Sequence, residues 1–231
     1  MDGFGRFDEF LTAVDRDGAI AETRERAETV SRGRLLGMTL AGAGTIALAR
    51  ATRAGAAGLS ASDVDILNYA LVLEYLQASF YTEAERSGAL SGKTAQAARV
   101  VGATERAHVQ AFLDLLKSQA VKRPTFDFQG TTEQQQPFLK TAVALEDLAV
   151  AAYKGQAPRL KSNAVLAAAV GIHSVEARHA AWMRALFGFT PAVNAFDKPA
   201  SRSSINRVVV STHFIVSKPH MKARKKPSFT G

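Results

Sequence analysis

The sequence predicts an all-α chain built on a four-helix bundle with one long crossover connection. Three observations lead there. Residues 62–188 contain four apolar-periodic stretches, each of about 20–28 residues, the length of bundle helices. The connections between them run short, long, short, which makes the first two and the last two stretches antiparallel hairpins joined by a crossover. The second hairpin also repeats the polar pattern of the first, so the two are related by a pseudo-twofold.

The first stretch has a capping-box-like start in Ser62 with Asp65, runs from Ile66, and meets Gly88, a residue suited to the left-handed position past a helix end. Ser91 caps the second, which extends to about Gln119. The connection through Arg123 and Pro124 to Gly130 is longer than a tight turn, and nothing in it reads as a strand. A third stretch begins near Thr131 or Thr132, tolerates Pro137 in its first turns, and stops at Gly155. The fourth starts at Ser162 and ends at Gly188.

Outside the bundle, residues 1–57 and 191–231 form separate zones. Phe4, Phe7, Phe10, Leu11 and Val14 lie at roughly helical spacing in a segment rich in both charges. Residues 35–49 are an uncharged run, shorter than the ~20 residues that cross a bilayer. Arg32 and Arg34 precede the run, and Ala54-Gly55-Ala56 follows it as an Ala-x-Ala cleavage site. Ser31-Arg32-Gly33-Arg34-Leu35-Leu36 resembles a twin-arginine export signal, with Gly33 standing where that pattern has its second arginine. The expectation is an exported or envelope-associated bacterial protein; a packed apolar helix in a cytoplasmic protein is the alternative.

The net charge of +8 belongs to the other end. Residues 198–231 carry eight of the 29 basic groups and no acid, so residues 1–197 hold 21 charges of each sign. A neutral body argues against specific nucleic-acid recognition, while the basic tail, from Lys218 through Lys222, Arg224, Lys225 and Lys226, is either a solvated end or a contact for an anionic partner. Ile205 to Val216 is rich in β-branched residues and is expected as a short helix or strand lying on the bundle. With no cysteine in the chain, disulfide scaffolds, thiolate metal sites and cysteine nucleophiles are excluded. Neither a serine-hydrolase elbow nor a phosphate loop is present.

The repeat inside the bundle carries the chemistry. Leu73-Glu74-x-Leu76 with Tyr81 in the first stretch matches Leu145-Glu146-x-Leu148 with Tyr153 in the third, and Ala70 and Ala142 precede the two glutamates by four. Glu105-Arg106-Ala107-His108 in the second matches Glu176-Ala177-Arg178-His179 in the fourth. Glu74 and Glu146 fall on apolar stripes that point into the bundle, where a carboxylate costs several kcal/mol unless a cation compensates it. A Glu-x-x-His pair projects both side chains from one face about a turn apart, so Glu105 with His108 and Glu176 with His179 can each grip one metal while a glutamate bridges. Glu74, Glu105, His108, Glu146, Glu176 and His179 together form a dimetal carboxylate ligand set suited to iron or manganese. The alternatives are buried ion pairs to Arg106 and Arg178, or a ligand set kept on a structural bundle.

On these residues, with Asn68-Tyr69-Ala70-Leu71, Phe80-Tyr81, Val109 and Asp147, the chain resembles ferritin-like domain proteins, in the branch related to plant desiccation-related proteins. The likeness covers about residues 62–190 and is looser in Phe196-Asp197-Lys198-Pro199 and His213-Phe214-Ile215. It implies a ferritin-like bundle holding two iron or manganese ions, a mixed pair included. It further implies metal-dependent oxidation, iron handling or peroxide detoxification in stress protection, with metal ions and O₂ or peroxide as partners. Such a protein is an oxidoreductase of ferroxidase or peroxidase type if the site is catalytic, and a homo-oligomer is compatible with it. The resemblance makes Tyr81 and Tyr153 partners of the metal ligands; core aromatics with satisfied hydroxyls are the other reading. His173 is read as a core or helix-edge residue or an extra ligand, Trp182 as a packing residue, and Asp147 as a solvated or helix-pairing acid. A different class stays open: a structural or interaction protein of the envelope or stress response whose bundle holds metals for stability or none.

Overall fold

Local side-chain chemistry sets where each helix begins and ends in the computed structural model, which describes residues 58–216. Helix α1 (Ala61–Ser87) is capped by Ser60, whose hydroxyl accepts from the Asp63 amide at 3.1 Å, and it closes on Gly88 at φ 66°. The cap is thus Ser60 rather than Ser62. Helix α2 (Gly92–Leu116) follows Ser91 and runs into a 3-10 turn, Lys117–Gln119. Helix α3 (Gln135–Gln156) starts later than Thr131 or Thr132, because Gln129 and Gly130 are left-handed and residues 128–133 fold as turns. Thr132 is spent on a tether instead: its hydroxyl donates to Glu83 at 2.7 Å and its carbonyl accepts from Ser87. Helix α4 (Asn163–Phe187) has Ser162 as its cap and Gly188, φ 88°, at its end.

Gly155 does not stop α3. It lies inside the helix at a point where the backbone of the C-terminal extension crosses: a Cβ there would sit 2.0 Å from the Ala200 carbonyl oxygen. The Ala200 amide donates to the Ala151 carbonyl at 3.0 Å, fixing that crossing. Helix α5 (Arg202–Thr212) follows and packs on α3 through Ile205 and Val209. The β-branched segment supplies both of the expected forms, since α5 is followed by strand β2 (Ile215–Val216). β2 pairs antiparallel with β1 (Thr125–Phe126) of the crossover, with Thr125 opposite Val216 and Phe126 opposite Ile215. The crossover therefore does contain a strand, too short to show a period in sequence.

The hairpins α1–α2 and α3–α4 pack together, with α1 also against α3 and α2 against α4. Two buried apolar clusters fill the bundle. One contains Leu76, Phe80, Tyr81, Val101, Phe138 and Met183; the other contains Leu67, Leu71, Phe112, Leu116, Tyr153 and Ile172. Phe80 stacks on Phe138 at 5.2 Å and meets Phe128 of the crossover edge-on at 5.4 Å, while Phe128 meets Phe214, so crossover and extension seal one end of the bundle. Burial of each such ring contributes about 1.5–3 kcal/mol. Among the described residues no helix is long and apolar enough to cross a membrane. The expected N-terminal amphipathic helix, the apolar leader and the basic tail beyond Val216 lie outside the described residues.

Candidate metal centre

Where the chain passes from one apolar cluster to the other, all four helices turn a polar residue inward. Glu74, Glu105, Glu146 and Glu176 are fully buried, and His108 and His179 nearly so. The six residues form two overlapping groups, Glu74, Glu105, His108, Glu176 and Glu105, Glu146, Glu176, His179, each with ligand atoms within 4.8 Å of one another. Glu105 and Glu176, one from each Glu-x-x-His pair, are common to both.

The oxygens divide between the groups. The Nδ1 of His108 lies 3.3 Å from Glu74 Oε2, 3.5 Å from Glu105 Oε2 and 3.1 Å from Glu176 Oε1. The Nδ1 of His179 lies 2.9 Å from Glu105 Oε1, 3.6 Å from Glu146 Oε2 and 4.0 Å from Glu176 Oε2. None of these approaches has the geometry of a hydrogen bond. Glu74 Oε2, both Glu105 oxygens, Glu146 Oε2, Glu176 Oε1 and both Nδ1 atoms have no hydrogen-bond partner among the described residues. Buried polar atoms are nearly always paired, so seven converging atoms without partners fit a cation. The two arginines of the ion-pair alternative are elsewhere: Arg106 binds Glu85 at 2.8 Å and Thr82, and Arg178 is exposed.

The remaining carboxylate oxygens are held by donors. The Tyr81 hydroxyl donates to Glu146 Oε1 at 2.6 Å, and the Tyr153 hydroxyl donates to Glu74 Oε1. Each tyrosine thus reaches across to the glutamate of the other hairpin, because α1 and α3 run antiparallel and a seven-residue step on one returns along the other. Sequence reasoning missed Gln77, a buried residue whose Nε2 donates to Glu176 Oε2 at 3.4 Å. Its signal was a polar side chain three residues after Glu74, on the same face. His173 belongs to neither group. Asp147 pairs two helices, accepting both prongs of Arg184 at 2.9 and 2.5 Å. Trp182 is 36% exposed rather than packed inside.

Burial pushes the Glu74 carboxyl up to about 7, against the pull of His108. Burial, reinforced by the charge of Glu105, pushes Glu176 well above the ordinary carboxyl range. Glu105 goes the other way, since burial would raise it but the flanking imidazoles hold it at about 2. Burial also opposes charge on the imidazoles, yet the surrounding carboxylates hold His108 well above its ordinary value and His179 at about 10. Tyr81 and Tyr153 are raised well above theirs by burial and the adjacent carboxylates, so both hydroxyls stay donors.

A helical bundle whose hairpins each contribute a lone glutamate and a Glu-x-x-His pair to one buried centre defines a class of protein. The chain belongs to the ferritin-like domain family, which matches it over residues 62–188. No curated protein matches it. Fold and buried acid–histidine cluster together are compatible with a metal site.

Proposed function

We propose that this is a dimetal carboxylate protein holding two iron or manganese ions, one per ligand group, and acting in metal-dependent oxidation, iron handling or peroxide detoxification during stress. The observation that carries the reading is the convergence of seven buried, unpartnered donor atoms on two overlapping positions. Glu74 and His108 would hold one ion, Glu146 and His179 the other, with Glu105 and Glu176 between them. Redox-active metals in such a site supply electron exchange with O₂ or peroxide. The chain's own residues bind and orient: Tyr81 and Tyr153 fix one oxygen of Glu146 and Glu74, leaving the other free, and the flanking apolar clusters exclude bulk water. Four carboxylates with two imidazoles make a hard donor set, which favours iron or manganese over structural zinc.

The test is metal content by mass spectrometry on protein purified without added metal or chelator. About two ions per chain are expected, with loss in Glu146→Ala. Wild-type protein without metal, and a variant of equal stability, would instead assign the bundle to the structural or interaction reading. Residues 1–57 and the basic tail would then be where attachment is sought.

A further inference from the structure

The two ligand groups are related by the pseudo-twofold of the hairpins, and one residue breaks it. Glu74, Glu146, Tyr81 and Tyr153 correspond, as do Glu105, Glu176, His108 and His179. Three residues after Glu74 stands Gln77; three residues after Glu146 stands Ala149, buried and without a polar side chain. Glu105 offers one unpartnered oxygen to each group, Oε2 toward His108 and Oε1 toward His179. Glu176 offers Oε1 to the His108 group without a partner, but the Oε2 it turns toward His179 accepts from Gln77. That oxygen is also the one farthest from its imidazole, 4.0 Å against 2.9–3.6 Å for the other two.

We infer that Gln77 makes the two ion positions unequal. The group of Glu74, Glu105, His108 and Glu176 presents four free donor atoms. The group of Glu105, Glu146, Glu176 and His179 presents three, with a fourth engaged by an amide. A metal entering the second group must share Glu176 Oε2 with the Gln77 N–H, which withdraws electron density from that oxygen and turns it away. Losing or keeping one such hydrogen bond shifts a binding equilibrium by roughly two- to tenfold. Gln77 is on this account a positioning residue: it orders the filling, the His108 position first and the His179 position second. The inference rests on the dimetal reading above.

The experiment is anaerobic titration of the metal-free full chain with Co²⁺ and with Mn²⁺, followed calorimetrically and, for Co²⁺, by its ligand-field absorption. Wild type is expected to bind in two steps separated by roughly two- to tenfold. His179→Ala should remove the weaker step and His108→Ala the tighter one. In Gln77→Leu, which keeps the bulk without the amide, the weaker step should tighten until the two merge. Gln77→Met repeats this test if the leucine variant does not fold. Two equal steps in wild type, or unequal steps unchanged in the Gln77 variants, would overturn the inference while leaving a dimetal site intact. Fewer than two ions bound by wild type would overturn the dimetal reading, and this inference with it.

Discussion

Each residue of the centre is defined by which of its atoms already has a partner. Glu74 Oε1 is held by Tyr153 and Glu146 Oε1 by Tyr81, so the tyrosines decide which oxygen of each glutamate remains for a metal. Tyr153→Phe leaves a buried carboxylate oxygen without its donor, and removing one partner of a charged hydrogen bond costs about 1–3 kcal/mol. The variant should lose that much stability in urea denaturation without metal, and about tenfold to a hundredfold in metal affinity by calorimetry, the usual effect of losing a ligand's supporting partner. A smaller loss of affinity would return Tyr153 to the role of core aromatic. The six candidate ligands were legible in sequence because acids on apolar stripes are costly and these recur at matched spacing. The crossing of the tyrosines was not, since an i to i+7 step fixes position along one helix and says nothing of the helix opposite. Gln77 escaped because a single amide in an apolar run has no repeat in the second hairpin to mark it.

At the scale of elements, the helices followed from their caps and periods, while the pieces that join them depend on distant partners. Gly88, Ser162 and Gly188 end or begin helices where the sequence placed them, through contacts within a few residues. Strands β1 and β2 are two residues each and owe their existence to a pairing about ninety residues apart, which no local pattern encodes. Asn68 does similar long-range work, donating to the Gln119 carbonyl and accepting from the Val121 amide, and so ties the crossover to α1. Gly155 illustrates the same limit: glycine in a helical run reads as a stop, but here it admits the Ala200 backbone. Gly155→Ala is expected to strengthen α3 as an isolated helix and to weaken the protein, because the added methyl collides with backbone that cannot swing aside. Hydrogen exchange should show lost protection at the Ala200 amide and across α5, with protection of α1, α2 and α4 kept. Unchanged exchange at α5 would mean that the extension docks without this crossing.

For the whole molecule, the buried centre links stability, protons and metal. Glu74 binds its proton more tightly in the folded protein, at about 7 against an ordinary 4.5, and His179 likewise at about 10 against 6.5. For both groups the stabilisation is full below the unfolded value and is lost as pH rises through the folded one. Glu105, held at about 2, has the opposite sign: its contribution is present above 4.5 and lost as pH falls through 2. The centre's contribution in the metal-free protein therefore peaks near 4.5 and declines from there toward pH 10. Metal must displace the same protons, so its affinity climbs across the window in which the metal-free protein weakens. Calorimetric melting temperatures should show a metal-free protein less stable at pH 8 than at pH 5.5, and a metal-induced gain that is larger at pH 8. At a metal concentration about a thousand times Kd the gain is about 4 kcal/mol, or roughly 8–16 °C for a chain of this size. Glu74→Gln cannot titrate at that position, so its metal-free melting curve should fall less between the two pH values. A metal-induced gain independent of pH would mean that the metal binds without displacing protons from these groups, and that the buried acids and imidazoles are not its ligands.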